Sequence, residues 1–444
     1  MMMNLSDIAQ ILQLSSERDA VVTGVSTDSR KIQAGEVFVA LRGERVDGHD
    51  YIADAVRLGA SAVICEQRVP TVDESLQWVV TSSLQALGKI ATWYRQQFTC
   101  PAIAVTGSNG KTSVKEMIAH ILPKPSLATT GNLNNHIGVP ATIMQLRTEH
   151  RFAAFELGAS HLGEIAYTVA MVQPQVALIN NIAPAHIEGF GSIDGVAQAK
   201  GEIYQGLCPG GIAVVNDDDA YAHFWDKHLE MHPVIRFSWQ HSADVWASEI
   251  KLNTNGCAEF QLHVSDTTAM VQLRVPGQHA VSNALAAAAC THALGITLSE
   301  IVEGLESFTG VAGRMMFRKG KQDATIIDDS YNANLRSTLT AVEVLAQCQG
   351  MRILVLGDMA ELGVWGEQHH EEVGVAARKH GIDCLLTCGK LSAKTVQAFG
   401  AGGKHYTTQQ ELTQDLLQRL DAKTTVLVKG SRSAAMENIV QQLI

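Results

Sequence analysis

The 444-residue sequence has eight cysteines but no C-x-x-C pair, no long hydrophobic run, no internal repeat and no low-complexity segment. The first absence excludes the common zinc and dithiol motifs, so buried free thiols and a reducing, cytoplasmic location are expected. The second excludes a membrane-spanning helix. The first residues also lack the basic start of a signal peptide. These absences predict a folded chain without membrane insertion.

Positive charge is also in short supply. Lysine and arginine number 34 against 45 aspartates and glutamates, which gives a net charge of −11. This balance argues against general nucleic-acid binding. A hydrophobic content of 46% with 18% charged residues fits a folded protein, and the length is too great for one ordinary core. We expect two or three domains in a monomer that has no nucleic-acid partner.

Three regions of the chain differ in pattern. Residues 1–83 hold short strand candidates between turn-rich joints, whereas residues 84–312 and 313–444 alternate branched apolar runs with helical patterns. Such alternation is typical of parallel sheets covered on both faces. The strand candidates are residues 36–41, 61–65, 102–106, 152–157, 176–179, 212–215, 324–327, 352–356, 384–387 and 425–428. The prediction is an α/β protein with a small N-terminal domain, a central parallel-sheet domain and a C-terminal Rossmann-like, doubly wound domain.

A glycine-rich turn follows the central strand at 102–106 and precedes a helical pattern. It consists of Gly107, Ser108, Asn109, Gly110, Lys111, Thr112 and Ser113. Two residues separate its glycines, where the usual P-loop has four, but the physical logic is the same. Glycines allow close backbone approach, and N–H groups at a helix N-terminus face the phosphates. Lysine adds positive charge and threonine can ligate Mg²⁺, so the turn predicts a nucleoside-triphosphate site in a central P-loop domain.

The turn alone does not separate a kinase, a GTPase, an ATPase and a ligase. A GTPase or regulatory switch would use a base-reading N-K-x-D segment, which this sequence lacks. Three further segments accompany the turn in collinear order: residues 155–160 (FELGAS), 180–186 (NNIAPAH) and 199–203 (AKGEI). Together with the turn they resemble the Mur ligase family of peptidoglycan synthesis. That family joins an amino acid or a dipeptide to a UDP-linked muramoyl peptide.

Within the family, the branch that adds D-alanyl-D-alanine is the most similar. Its marks are residues 131–140 (GNLNNHIGVP), 328–334 (DDSYNAN), 357–363 (GDMAELG) and 429–437 (KGSRSAAME). This resemblance implies an ATP-dependent ligase that joins D-alanyl-D-alanine to UDP-N-acetylmuramoyl-tripeptide through an acyl phosphate. The role would be cytoplasmic precursor synthesis, and thus cell wall biogenesis, cell shape and cell division. The resemblance also implies that residues 1–83 bind the UDP substrate, 84–312 bind ATP and 313–444 bind the acceptor.

The resemblance implies roles for individual residues. Lys111, Glu156, His186 and a carbamylated Lys200 would be catalytic, and Thr112, Glu156 and His186 would hold Mg²⁺. Besides residues 107–113, ATP would meet Asn283, Arg314 and Asp329. The UDP-linked substrate would meet Thr27, Ser29, Arg30, Asn132, Asn135 and Ser160. Two departures from the family pattern are Ala280, where many relatives have asparagine, and Leu335, where many have proline.

Several alternatives stay open at this point. A sister ligase would use another acceptor, and a folylpolyglutamate synthase-like ligase would share the short loop. A GTPase or regulatory switch would bind guanine nucleotides and a regulatory partner. No general base for the incoming amine is evident, and His186 or an aspartate near position 358 are the candidates. His369 and His370 are expected to face solvent, because isolated histidines usually do.

Overall fold

The computed structural model describes residues 3–15, 18–43, 46–184, 187–253 and 256–444. Within these ranges the chain builds a two-stranded ribbon and then sheets of four, nine and six strands. The first region contains strands β1 (Met3–Asn4), β2 (Val21–Val22), β3 (Val25–Ser26), β4 (Val37–Val39), β5 (Ala62–Cys65) and β6 (Gln77–Val79). Its helices are α1 (Leu5–Leu12), α2 (Ile52–Arg57) and α3 (Ser83–Gln96).

The four-stranded sheet is parallel throughout, in the order β3-β4-β5-β6. Strands β4 and β5 are buried along their whole length because every one of their residues is apolar. Helix α3 joins this region to the next one. Ile90 on α3 packs into the first core, whereas Tyr94, one turn later, packs into the central core.

The central sheet has nine strands in the order β15-β14-β13-β12-β11-β10-β7-β9-β8. The strands are β7 (Ala102–Thr106), β8 (Ser126–Ala128), β9 (Phe152–Glu156), β10 (Val176–Ile179), β11 (Ile212–Asn216), β12 (Val234–Ser238), β13 (Val245–Leu252), β14 (Cys257–Val264) and β15 (Thr267–Pro276). The helices are α4 (Lys111–Ile121), α5 (Gly138–Ile143), α6 (Glu164–Val172), α7 (Ile187–Phe190), α8 (Ile193–Gln205), α9 (Asp226–Leu229), α10 (His279–His292) and α11 (Leu298–Ser307).

Strands β7 to β13 pair in parallel, as the sequence predicts, but β13, β14 and β15 form an antiparallel edge. Like the parallel strands β8 and β12, these three strands were absent from the candidates in the sequence. Their burial alternates, with every second residue of β14 buried and the others partly exposed. One face therefore packs on the core while the other meets solvent, which gives a weaker hydrophobic signal than a doubly covered strand.

The C-terminal region forms a six-stranded sheet in the order β16-β17-β21-β18-β19-β20. The strands are β16 (Met316–Lys319), β17 (Thr325–Asp329), β18 (Met351–Leu356), β19 (Cys384–Cys388), β20 (Gly403–Tyr406) and β21 (Thr424–Lys429). The helices are α12 (Leu335–Ala346), α13 (Gly366–Lys379), α14 (Ser392–Phe399), α15 (Gln409–Leu417) and α16 (Glu437–Leu443). Strands β17 to β21 are parallel and β16 is an antiparallel edge. The α/β prediction with a doubly wound last sheet is confirmed.

The topology brings several chain segments to one edge of the central sheet. Strand β7 lies between β10 and β9, and all three run in the same direction. Their carboxyl ends therefore meet, and open α/β sheets bind ligands at such an edge. Of the helices that the structure describes, none combines the length and the apolar character needed to cross a membrane.

Candidate active site

The glycine-rich turn connects β7 directly to α4, as the sequence predicts. Gly110 has a φ of +79°, which favours glycine. A Cβ atom at this position would lie 2.5 Å from Asn180 Nδ2 and 2.6 Å from Asn283 Oδ1. Any side chain there would collide with the two asparagines. The turn is thus built for close backbone packing, and the first amides of α4 are free to face a phosphate.

Two asparagines at the end of β10 hold the turn in place. Asn181 Oδ1 accepts a hydrogen bond from Asn109 N at 2.9 Å, and Asn181 Nδ2 donates to Asn109 O at 3.1 Å. Asn180 Nδ2 donates to Asn109 O and to Asn283 Oδ1, both at 3.0 Å. Asn283, a predicted ATP contact, therefore lies against the phosphate loop. Ser108 Oγ adds a bond to Ala183 O at 2.9 Å.

The cationic groups of the loop come from two domains. Lys111 Nζ donates to Gly107 O at 2.7 Å. Burial lowers the pKa of Lys111, while nearby Glu156 raises it and Arg314 lowers it further. Arg314 Nη2 donates to Thr112 Oγ1 at 3.1 Å, and its guanidinium lies 4.2 Å from the centre of the Tyr331 ring. The predicted ATP contact at Arg314 is thus adjacent to the loop.

Glu156 ends β9 beside the loop and is only 2% exposed. Its Oε1 accepts a hydrogen bond from Asn134 Nδ2 at 2.7 Å, and its backbone N donates to Thr129 Oγ1 at 3.0 Å. Its Oε2 is buried and has no partner among the described residues. An unpaired buried carboxylate oxygen is costly and signals a missing ligand. Asn134 was not among the predicted site residues, although it lies in the motif at residues 131–140.

The donors at this edge fit a magnesium ion. Mg²⁺ prefers oxygen, keeps several waters and takes one or two carboxylates together with phosphate oxygens. Glu156 Oε2 matches that need, and the Thr112 hydroxyl keeps a second lone pair after accepting from Arg314. The described residues contain no group of three or more His, Cys, Asp or Glu side chains arranged to hold a metal by themselves. His186, the other predicted ligand, lies outside the described residues.

Lys200 on α8 is 1% exposed, which a surface lysine would not be. Its pKa is well below the usual value, chiefly because of burial and then because of the charge on Lys111. We find no hydrogen-bond partner for its ammonium in the described part of the chain, and the centre of the Phe190 ring lies 5.9 Å from its Nζ. Its neighbour Glu202 is different, since it accepts from Gly163 N and Ala166 N at the start of α6.

The predicted substrate residues lie in two separate places. Thr27, Ser29 and Arg30 surround the end of β3, where Arg30 makes two 2.9 Å bonds to Asp28. No hydrogen bond or ion pair among the described residues links these three side chains to the central sheet.

Asn132, Asn135 and Ser160 lie beside the loop that supports Glu156. Asn135 Oδ1 accepts from Gly138 N at 2.8 Å, and Ser160 N donates to Glu164. Asn132 and Asn135 are exposed. The structure therefore brings these three to the central site, but not Thr27, Ser29 and Arg30.

Carboxylates of the C-terminal sheet are engaged. Asp329 Oδ2 accepts from Lys429 Nζ at 2.5 Å, and its Oδ1 accepts from Met315 N at 3.1 Å. Its predicted contact with nucleotide stays a prediction. Asp358 accepts from the backbone amides of Lys390, Leu391 and Ser392 at 2.7 to 3.0 Å. Because both its oxygens are occupied at the start of a helix, Asp358 is a poor general base.

The expectation that His369 and His370 face solvent is wrong. Both are buried on α13. His370 Nε2 accepts from Met359 N at 3.0 Å, and its Nδ1 lies 2.7 Å from Gly366 O. Burial lowers the pKa of His370. The ring thus joins the segment after β18 to the start of α13.

A strand–turn–helix phosphate cradle with a buried acid and a buried lysine, set between α/β domains, defines an enzyme that uses a nucleoside triphosphate. Three family models match the chain: "Mur ligase family, catalytic domain" at residues 21–94, "Mur ligase middle domain" at 105–291 and "Mur ligase, glutamate ligase domain" at 313–432. The chain belongs to the Mur ligase family, which confirms the resemblance found in the sequence.

Curated relatives extend over nearly the whole chain. The UDP-N-acetylmuramoyl-tripeptide–D-alanyl-D-alanine ligase of Escherichia coli K12 is 44% identical, covering 99% of this chain and 98% of its own length. The enzyme of the same name from Bacillus subtilis is 32% identical, covering 96% and 93%.

Solved structures agree with these relatives. A crystal structure of MurF from Acinetobacter baumannii matches with a TM-score of 0.93 at 36% identity, covering 100% of this chain and 99% of that one. MurF ligase from Thermotoga maritima in complex with ADP matches with a TM-score of 0.83 at 27% identity, covering 94% and 96%. A folylpolyglutamate synthase from Mycobacterium tuberculosis, at 15% identity and a TM-score of 0.65, shares the fold alone.

Proposed function

We propose that the chain is an ATP-dependent ligase that joins D-alanyl-D-alanine to UDP-N-acetylmuramoyl-tripeptide in peptidoglycan precursor synthesis. The observation that carries the chemistry is the grouping of Lys111, Thr112 and the unpaired Glu156 Oε2 around one phosphate loop. The substrates follow from full-length similarity to ligases of that name. Eight free cysteines support a reducing, cytoplasmic setting, and we propose that the chain works as a monomer.

The first step would be phosphoryl transfer. A carboxylate oxygen of the tripeptide attacks the γ-phosphorus of ATP, the bond to the β,γ-bridging oxygen breaks, and ADP leaves with that electron pair. The loop amides and Lys111 neutralise charge that spreads over the transferring group. When bound, Mg²⁺ would supply further charge neutralisation, held by Glu156, Thr112 and His186.

The second step would be capture of the acyl phosphate. The amine of D-alanyl-D-alanine attacks the acyl carbon, and the tetrahedral intermediate releases phosphate and one proton. Water must be excluded during this step because it would hydrolyse the acyl phosphate. Contacts such as Arg314 to Thr112 and Arg336 to Ile182 O support a closed arrangement of the third domain over the loop.

We further propose that Lys200 carries a carbamate. An ammonium beside Lys111 and divalent cations would be repelled. A depressed pKa favours the neutral amine, which is the form that reacts with CO₂, and the product is an anion suited to that surrounding. Residues 1–83 would bind the UDP end through Thr27, Ser29 and Arg30, and Asn132, Asn135 and Ser160 would guide the peptide. Asn283, Arg314 and Asp329 complete the proposed ATP contacts.

The test is phosphate release from ATP in the presence of UDP-N-acetylmuramoyl-tripeptide, with different amines supplied. We expect D-alanyl-D-alanine to trigger release, whereas lysine and diaminopimelate do not. Release with a single amino acid instead would identify a sister ligase. Release that needs a folate and glutamate would identify the folylpolyglutamate synthase reaction, and dependence on GTP would contradict the proposal.

A further inference from the structure

Asn334 connects the third domain to the phosphate loop through its side-chain amide. It is the N-cap of α12, where its Oδ1 accepts a hydrogen bond from Ser337 N at 2.9 Å. A backbone N–H can only donate, so this bond fixes which end of the Asn334 amide faces the helix. The NH₂ end then points away from α12, and it donates to Asn109 Oδ1 at 2.8 Å.

The same logic fixes the amide of Asn109. Because the NH₂ group of Asn334 can only donate, Asn109 must turn its oxygen toward it and its own NH₂ away. That NH₂ group, Asn109 Nδ2, is buried and has no partner in the described residues. The backbone N and O of Asn109 are already held by Asn180 and Asn181. One unsatisfied donor is therefore left in the loop that receives the phosphates.

We propose that Asn334 is a positioning residue that orients the Asn109 amide, so that Asn109 Nδ2 donates to a phosphate oxygen of the bound nucleotide. The N–H of Ser337 fixes the orientation of the Asn334 amide, and the NH₂ group of Asn334 in turn fixes the orientation of the Asn109 amide. We call these two linked hydrogen bonds the relay. If the Asn109 amide were reversed, its NH₂ group would face the NH₂ group of Asn334 and its oxygen would face the phosphate. This inference rests on the proposed use of ATP.

The position of this relay couples nucleotide binding to the third domain. Asn109 belongs to the central domain, whereas Asn334 follows β17 in the C-terminal domain. Arg336, two residues further along α12, donates to Ile182 O at 3.2 Å and thereby holds the start of α12 close to the same edge. When the third domain moves away, Asn109 loses the partner that sets its orientation. Closure would thus complete the phosphate site rather than only cover it.

Asn334→Asp tests the relay without removing the cap. Aspartate is as good an N-cap as asparagine, so α12 should keep its start. Its second oxygen cannot donate, so Asn109 should turn and present its oxygen to the phosphate. We expect binding of the β,γ-methylene analogue of ATP, measured by titration calorimetry on the full chain, to weaken about tenfold, as for loss of a charge-assisted hydrogen bond. The thermal unfolding midpoint should not change.

A double-mutant cycle separates the relay from the added charge. In an Asn109→Ala background, which keeps the backbone contacts, Asn334→Asp should weaken binding by less than about twofold, since no amide is left to turn. Thr408→Asp adds the same charge at another N-cap of the third domain and should leave binding unchanged.

An equal loss in both backgrounds would overturn the relay, because charge alone would then explain the effect. Unchanged binding by the single variant Asn334→Asp would overturn it as well. Failure of the parent chain to bind the analogue would overturn the proposed function, and the relay with it.

Discussion

Glu156 at the carboxyl edge of the central sheet differs in its pairing from Asp329 and Asp358 at the carboxyl edge of the C-terminal sheet. At the central sheet, Glu156 Oε2 and Asn109 Nδ2 are buried and have no partner among the described residues. At the C-terminal sheet, Asp329 is paired with Lys429, and Asp358 accepts three backbone amides. Both sheets have a parallel, buried centre, so topology alone would allow a ligand site at either carboxyl edge. Asp329 and Asp358 find their partners within their own domain, whereas Glu156 Oε2 has none among the described residues, and this difference favours the central edge as the place of the chemistry.

The comparison also explains how the third domain takes part. Asp329 and Asp358 stabilise loops of the third domain, whereas in the described part of the chain Arg314, Asn334 and Arg336 donate hydrogen bonds across to the central domain. A rigid domain with a small number of reaching groups can close and open as a body. We therefore expect substitutions at the central edge to reduce activity more than stability, and substitutions at the C-terminal edge to reduce stability more than activity.

The largest effect is expected for Lys200→Ala. Loss of the proposed carbamate should abolish ligation, and added acetate or formate should restore part of it by placing a carboxylate in the vacated space. The measurement is phosphate release with both substrates present. Lys115→Ala is the matched control, since Lys115 is equally buried but bonds Thr129 O at 2.6 Å. Acetate should not rescue it, and a Lys200→Ala variant as active as the parent would contradict the carbamate.

Glu156→Gln should have the second-largest effect on ligation. Glutamine keeps the shape and can still accept from Asn134, but it removes the charge and puts an NH₂ group where the unpaired oxygen was. We expect kcat to fall about 10³-fold, as for loss of a preorganised electrostatic contact. The half-saturating Mg²⁺ concentration should rise as well. A fall in kcat with unaltered Mg²⁺ dependence would show that Glu156 does not hold the metal.

At the other edge, Lys429→Met should act on stability. It leaves Asp329 buried without its cation, which typically costs about 3 to 5 kcal/mol of unfolding free energy. Denaturant unfolding measures this, and Lys429→Met/Asp329→Leu should recover most of the loss because an apolar pair needs no counter-charge. The exposed pair of Lys319 and Asp323 is the control, and Lys319→Met should leave the midpoint where it is. A stable Lys429→Met chain would argue against a structural role for the pair.

The smallest effect is expected for Asp358→Asn. Asparagine can still accept two of the three backbone amides, so about 1 to 2 kcal/mol of stability should be lost. Its kcat should stay within about twofold of the parent value, because a residue with both oxygens occupied is not the general base. A large fall in kcat with unaltered stability would instead assign Asp358 a chemical role.

The sequence predicts the parts of the site that depend on local order. A short continuous segment of sequence is enough to identify the glycine turn, Glu156 at a strand end and the lysine on α8. The residues that orient these groups come from distant parts of the chain. Asn134 meets Glu156 from 22 residues away, and Asn334 meets Asn109 from 225 residues away. Such pairs are set by tertiary packing, which a single sequence does not reveal.

Two failures have separate physical causes. His369 and His370 were expected to face solvent because isolated histidines usually do, but helix α13 turns both toward the domain interior, where His370 accepts a hydrogen bond from a backbone amide. Strands β13 to β15 were not predicted because only one face of them is covered. The parallel strands at the centre of each large sheet, such as β7 and β18, were predicted because burial on both faces gives continuous apolar runs.

A crystal structure of the chain soaked with the β,γ-methylene analogue of ATP and Mg²⁺ would test whether the loop at residues 107–113 binds the phosphates. We expect the β- and γ-phosphates to lie within hydrogen-bonding distance of the backbone amides of residues 110–113 and of Asn109 Nδ2, with a cation at Glu156 Oε2. Phosphates bound instead at the carboxyl ends of β18 and β21, with residues 107–113 empty, would contradict this expectation.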